Sequence, residues 1–348
     1  MSNKEEIIRQ DMERINSADF IDWSRLNDKT LLITGATGLI GSTVVNALLY
    51  ANQKRGLNLT VLALVRNENR AKEKFADHIG DQSLKFVVGS VEDFPEIDGS
   101  VDFIIHGASQ TASKMMVEQP VETILTAVTG TKNILNLAKE KKVEGMVYLS
   151  SMEIYGHPER GHKVTEDETG SLSPLNVRNS YPISKQQCEA LCCAYASEYA
   201  VPVMTARLTQ TFGPGVDYND NRIFAYFGRC VLEKKDIVLK TKGETERCYL
   251  YTADAVTAIL TVMLNGKRGD AYNMADENTY CSIAEMAQIV AESGGIKTRF
   301  ELEDAVASGY LDTIYMDLDT SKLKALGWNS ITGGILTLYD RMIACIAK

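Results

Sequence analysis

Short apolar runs and longer amphipathic stretches take turns along the first 208 residues of the chain. TLLIT (30–34), TVLALV (60–65), LKFVV (84–88), VDFIIH (101–106), GMVYLS (145–150) and PVMTARL (202–208) are apolar and rich in β-branched residues. That pattern fits strands of a parallel sheet, which are covered on both faces. Between them, 39–54 and 121–139 repeat their apolar residues at helical spacing, and 3–16 reads as an amphipathic leader helix. Strands alternating with helices predict an α/β fold of Rossmann type, a doubly wound parallel sheet with right-handed crossovers. After Leu208 the alternation loosens. DIVLK (236–240) is a short strand, and helical spacing recurs near 222–233, 253–264, 282–293 and 333–346. The expected division is an N-terminal helical extension (1–27), a main domain (28–208) and a smaller carboxyl-terminal lobe (209–348), with an interleaved boundary.

Composition narrows the classes of function. Apolar content of 45% and charged content of 24% are ordinary for a globular chain. The longest apolar runs are too short to cross a bilayer, and the charged residues 1–16 do not resemble a secretion signal. A cytoplasmic protein without a membrane partner is expected. A formal net charge of −9 argues against a nucleic-acid partner, whose phosphates are gripped by clustered lysine and arginine. It leaves room for a nucleotide-sized ligand. The seven cysteines lack C-x-x-C spacing and read as reduced thiols, with Cys188, Cys192 and Cys193 in packing roles. The four histidines show no metal-ligand spacing, so no metal is expected.

The first chemical signal is LLITGATGLIG, which sets Gly35, Gly38 and Gly41 between the first strand and its helix. Such a turn lets the backbone approach a pyrophosphate, while the helix N-terminus supplies amide donors and a positive dipole. The main domain is therefore read as dinucleotide-binding. An acid closing the second strand would favour NAD; here Arg66 and Asn67 stand in its place. Arginine suits a 2′-phosphate, so the expected cofactor is NAD(P), with NADP modestly favoured over NAD. A solvated arginine in a loop is the plain alternative.

The second signal is SYPISK (180–185). Tyr181 and Lys185 are one helical turn apart, and an ammonium near a phenol lowers its pKa. Taken alone, the same hexapeptide is a helix start with Ser180 as cap and Pro182 in the first turn. Thirty residues earlier LSSMEIYG ends a strand in Ser151 and Glu153, which on an extended strand would face the same way.

These motifs, together with HGASQTAS, GTKNIL, RLTQTFGPG and ERCYLYTADAV in that order over residues 28–275, resemble the extended short-chain dehydrogenase/reductase family. The likeness is to its nucleotide-sugar epimerases, dehydratases and decarboxylases. It implies that Ser151, Tyr181 and Lys185 match the catalytic triad and Glu153 the glutamate of the dehydratases and decarboxylases. It implies a dinucleotide held by Gly35, Thr37, Gly38, Leu39, Ile40 and Gly41, by Arg66, Ser90 and Val91, by Gly107, Ala108 and Ser109, and by Tyr181 and Lys185. A nucleoside-diphosphate sugar would be bound by Ser151, Gln210, Arg222 and Arg247. A homodimer is expected. The chemistry implied is oxidation of the sugar at C4, reaction beside the ketone and reduction again, in an epimerase or dehydratase. Decarboxylation of a nucleotide-linked uronate is the alternative, and a non-catalytic dinucleotide sensor is the alternative of another class. The chain departs from the family pattern at Met152, where thymidine-diphosphate-type dehydratases carry an aspartate. It departs again at Ala127 and Gln210, which replace asparagines, and at Ser90, which replaces an acid.

Overall fold

The computed structural model describes residues 2–110, 113–303 and 313–346; Thr111 and Ala112 of the HGASQTAS motif lie outside them. Seven strands form the central sheet: β1 (Thr30–Thr34), β2 (Thr60–Val65), β3 (Leu84–Val88), β4 (Phe103–His106), β5 (Gly145–Ser151), β6 (Val203–Leu208) and β7 (Ala271–Met274). Their order is β7-β6-β5-β4-β1-β2-β3, and every neighbouring pair is parallel. Both faces are covered, as the unbroken apolar runs require. Leu31 and Ile33 of β1 enter one apolar cluster with helices Leu39–Arg55 and Thr252–Asn265. Leu32, between them, enters a second cluster with helices Pro120–Lys141 and Ser180–Glu198. The period-2 alternation of a strand thus feeds two cores rather than one core and solvent.

Strand order reverses between β1 and β4, where Thr34 and His106 lie side by side in register at the carboxyl ends. In open α/β sheets that reversal leaves a crevice in which ligands bind.

A second sheet carries the strands Asp276–Ser282, Glu246–Tyr251, Tyr315–Leu318 and Lys163–Val164 in that order, with Gln210–Phe212 beside Glu246–Tyr251. Two strands cross between the regions: Lys163–Val164 joins the second sheet, and β7 returns to pair with β6. The loosened pattern after Leu208 hides this return, because a four-residue edge strand carries little periodic signal.

The leader helix Asn3–Asn16 starts at a capping box in which Ser2 and Glu5 satisfy each other's backbone N–H groups. It is tied to the far end of the chain. The Arg341 guanidinium donates to Asp11 Oδ1 at 2.6 Å, and Tyr251 Oη donates to Asp11 Oδ2 at 2.7 Å, all three buried. Among the described residues no helix is long and apolar enough to cross a membrane.

Candidate functional site

The crevice is built first from backbone. Gly35 has φ +69°, and a Cβ there would come within 2.8 Å of the Gly107 carbonyl. A Cβ on Gly41 would lie 2.2 Å from Gly35 O. The helix after the loop begins at Leu39, behind Gly38, with no side-chain cap on its first amides. Two loops therefore meet with no side chain between them, and a helix N-terminus with unclaimed N–H groups opens on the junction. A pyrophosphate fits such a place. Thr37, Leu39 and Ile40 are half-buried around it, as are Gly107, Ala108 and Ser109 across it.

A neutral histidine locks the junction from below. Thr34 Oγ1 accepts the N–H groups of Gly107 and Ala108, each at 3.1 Å, and lies 2.7 Å from His106 Nδ1. With both lone pairs used, the threonine proton goes to Nδ1, so the imidazole proton sits on Nε2, 3.2 Å from Thr131 Oγ1. Full burial, with the Lys185 charge adding to it, holds His106 down to about 3. The role of His106 was missed in the sequence. Its signal is a polar residue in register with another at the ends of two apolar strands.

Arg66 is exposed just past β2, and its charge acts on the Glu92 carboxylate. Ser90 Oγ accepts from the Asp93 N–H at 2.9 Å, and buried Val91 packs against Gly130 of GTKNIL.

Tyr181, Lys185, Ser151 and Glu153 come together at the carboxyl end of β5, with two corrections to the expected geometry. The strand ends at Ser151, and Glu153 lies in a 3-10 turn, Met152–Tyr155. Ser151 Oγ accepts the Glu153 N–H at 3.2 Å, so a turn, not strand alternation, sets Glu153 beside the serine. Second, the Tyr181 pKa is raised, not lowered. Lys185 Nζ donates to the Leu149 carbonyl at 2.6 Å and sits 5.7 Å from the Tyr181 ring centre. Burial pushes the Tyr181 phenol well up, the Glu153 charge adds to that, and the Ser151 hydrogen bond and the Arg178 charge oppose it. Burial also brings Lys185 down to about 8. Met152 is turned inward, its sulfur 3.3 Å from Thr209 Oγ1.

Behind Ser151 lies a buried polar brace that the sequence reading also missed. Arg207 Nη2 donates to Glu189 Oε2 at 2.8 Å and its Nη1 to Tyr155 Oη at 2.8 Å, while Ser150 Oγ donates to Glu189 Oε1 at 2.5 Å. Glu189 lies one helical turn beyond Lys185, so the spacing 181, 185, 189 was a visible signal.

In the second sheet Gln210 and Arg247 lie on adjacent parallel strands, with Gln210 opposite Tyr249. Gln210 Oε1, Arg247 Nε and Tyr249 Oη are buried with no hydrogen-bond partner among the described residues. Three such atoms on one sheet are expensive unless a ligand completes them. Arg222 is engaged apart from them: its guanidinium binds Asp220 at 2.5 Å and stands 4.7 Å from the Phe224 ring centre.

Seven parallel strands reversing at a glycine junction, with a tyrosine–lysine helix beside it, define the Rossmann-type class. Within that class the chain belongs to the NAD dependent epimerase/dehydratase family, whose profile matches residues 31–275. It is 28% identical over 286 residues to UDP-glucuronic acid decarboxylase 1 of Xenopus tropicalis, covering 81% of this chain. The match spans 65% of the frog protein's own length, just under two thirds. Similarity to the dTDP-D-glucose 4,6-dehydratase of Homo sapiens is 25% over 310 residues, 86% of this chain and 85% of that one. The crystal structure of dTDP-glucose 4,6-dehydratase from Streptomyces venezuelae, with NAD bound, superposes with a TM-score of 0.73 at 25% identity, covering 89% of this chain and 96% of the other.

Proposed function

We propose that this chain is an NAD(P)-dependent enzyme that transforms a nucleoside-diphosphate sugar through a transient 4-keto intermediate, as an epimerase or dehydratase. The observation that carries the reading is Tyr181, buried beside Ser151, with the Glu153 charge acting on it and Lys185 one turn on. The junction of Gly35, Gly41 and Gly107, closed to any Cβ, fits a dinucleotide, with Leu39 and Ile40 offering the amide donors. When bound, the nicotinamide accepts a hydride from the sugar and returns it. Tyr181 takes the proton of the sugar hydroxyl, and Ser151 steadies the oxygen as charge develops. Because burial and Glu153 keep the phenol protonated, the tyrosine works as a base only when positive charge is close by. Arg178 is the fixed cation whose charge opposes both. Glu153 is placed to move the proton at C5 that the ketone makes acidic. Arg247 holds the nucleotide diphosphate, whose oxygens accept from its unpaired Nε, and Gln210 Oε1 accepts from a hydroxyl or N–H of the nucleotide sugar.

A second outcome at the 4-keto stage is loss of carbon dioxide. Met152 favours it, because a thioether cannot protonate a departing hydroxyl and this one faces the core. Arg66 supports a preference for NADP. Val121 and Leu125, one turn apart on helix Pro120–Lys141 and 63% and 49% exposed, support a homodimer built on that face.

Mass spectrometry after incubation with a panel of nucleotide sugars tests the reading. Loss of water, loss of carbon dioxide and unchanged mass with altered stereochemistry separate dehydratase, decarboxylase and epimerase. No product from any sugar, with no bleaching or reduction of nicotinamide, overturns it in favour of a sensor. Glu153→Gln should still form the 4-keto species and then stall; full activity without solvent deuterium in the product moves the reaction to C4 epimerisation.

A further inference from the structure

Lys185 is buried without a counter-ion of its own. The residue is 3% exposed, and the Leu149 carbonyl at 2.6 Å accepts one of its three N–H groups. Among the described residues its Nζ makes no other hydrogen bond and no ion pair. The groups that face it are neutral or engaged elsewhere. On its own helix the Glu189 carboxylate acts on it from a distance, being bound to Arg207 and Ser150. Cys188 donates its S–H to the Ala127 carbonyl at 3.3 Å, and burial keeps the Cys192 thiol protonated. Tyr181 is held as the phenol, and from β4 the buried His106 imidazole is neutral.

What stands against the ammonium is a ring. Lys185 Nζ lies over the face of Tyr148, 4.8 Å from the ring centre, closer than the 5.7 Å to the centre of Tyr181. Tyr148 enters from β5 the apolar cluster that helix Ser180–Glu198 covers, and is 2% exposed. Its hydroxyl has no hydrogen-bond partner among the described residues, so the polar end of the side chain is not what the place uses. The π face is. A cation within about 6 Å of an aromatic centre is drawn to the negative face of the ring, more strongly when both are out of water. The His106 ring, 5.6 Å from Tyr148 centre to centre, is neutral and brings no competing charge.

Resting on the enzyme reading above, we propose that Tyr148 is a positioning residue: its ring face takes the place of a counter-ion and holds the Lys185 ammonium charged and fixed beside Tyr181. The ring does this without consuming a hydrogen-bond donor. With only the Leu149 carbonyl bound, two N–H groups stay available to whatever occupies the crevice. A carboxylate in the same place would take a donor and draw the ammonium to itself. An aliphatic side chain would leave a desolvated charge with a single acceptor, and the neutral amine would be favoured.

NMR of the full chain with isotope-labelled lysine and no ligand added tests this, the Lys185 signal being assigned by its loss in Lys185→Met. In the wild type that signal should titrate at about 8. Tyr148→Phe keeps the π face and should stay within about 0.3 pH unit of the wild type, whereas Tyr148→Leu should titrate about one unit lower. Mono-, di- and trifluorophenylalanine at position 148 keep the shape while withdrawing charge from the face, and should lower the midpoint in steps. Thermal melts check the fold of each variant, and the fluorinated series decides the matter if Tyr148→Leu does not fold. A midpoint that is flat along that series, or displaced as far by Tyr148→Phe as by Tyr148→Leu, overturns the proposal. With a nucleotide sugar that turns over, the high-pH fall of kcat/KM should move down together with the NMR midpoint. A profile that stays put while the midpoint moves denies Tyr148 any part in the reaction. Absence of turnover with every nucleotide sugar removes the enzyme reading, while the NMR titration still decides whether the Tyr148 ring holds the ammonium charged.

Discussion

The two walls of the crevice are built on opposite plans. The wall at β1 and β4 is satisfied internally: Thr34 spends both lone pairs on Gly107 and Ala108 and its proton on His106. What it offers a ligand is backbone, made approachable by glycines. The wall on the second sheet offers side chains whose buried polar atoms stay unpaired, Gln210 Oε1 and Arg247 Nε. The first wall is stable because it is complete, and the second carries a standing cost that a ligand relieves. A cofactor retained through a cycle suits the first plan, and a substrate that comes and goes suits the second.

The largest effect is expected where the walls meet. Tyr181→Phe keeps the ring and removes the hydroxyl, so turnover should fall by about a hundredfold or more while sugar-nucleotide binding stays within a few-fold. Rapid-mixing and equilibrium titration separate the two, and near-normal turnover would exclude Tyr181 as the base.

The contrast itself is tested by a pair of substitutions. Arg247→Met removes a buried group that lacks a partner, so sugar-nucleotide affinity should drop by about tenfold or more while the melting temperature holds or rises. Gly35→Ala forces a Cβ against Gly107 at a positive φ, and should cost about 1–3 kcal/mol of stability and most dinucleotide binding. Melts and titrations showing the reverse assignment, stability lost at 247 and kept at 35, would break the comparison.

A smaller effect is a pH dependence from Lys185. Its ammonium is present below about 8 and lost above, so kcat/KM should fall as pH rises through that value. Stability runs the other way. The folded chain binds fewer protons at Lys185 than the unfolded chain between about 8 and the ordinary 10.5, so this group adds stability as pH rises across that window. A kcat/KM profile flat to pH 9.5 would remove Lys185 from the titrating machinery.

The smallest effect is expected at Arg66, exposed at the rim. Arg66→Asp should shift the ratio of NADP to NAD dissociation constants toward NAD by several-fold. An unchanged ratio means that the side chain only meets solvent.

Features that depend on neighbours in sequence were legible before any coordinates. β1, its glycine turn and the following helix are one continuous stretch, so composition and spacing set where Gly35, Gly38 and Gly41 stand. The turn from Tyr181 to Lys185 is likewise short-range, because the i, i+4 geometry of a helix leaves little choice. Tertiary structure decided everything that depends on what lies across a gap. Spacing put Lys185 on the same face as Tyr181, but the Leu149 carbonyl from β5 claimed its ammonium, and burial outweighed charge at the phenol. Strand alternation set Ser151 and Glu153 on one side, yet the chain turned after Ser151 to give the same neighbours by another route. The partnership of Gln210 with Tyr249 and Arg247, the return of β7 to the main sheet and the placement of Arg178 beside Glu153 join residues 25 to 66 positions apart. Short-range geometry is written in covalent spacing and local propensity. Which distant strand closes a sheet, and which buried charge finds which partner, is settled only when packing and desolvation compete across the whole fold.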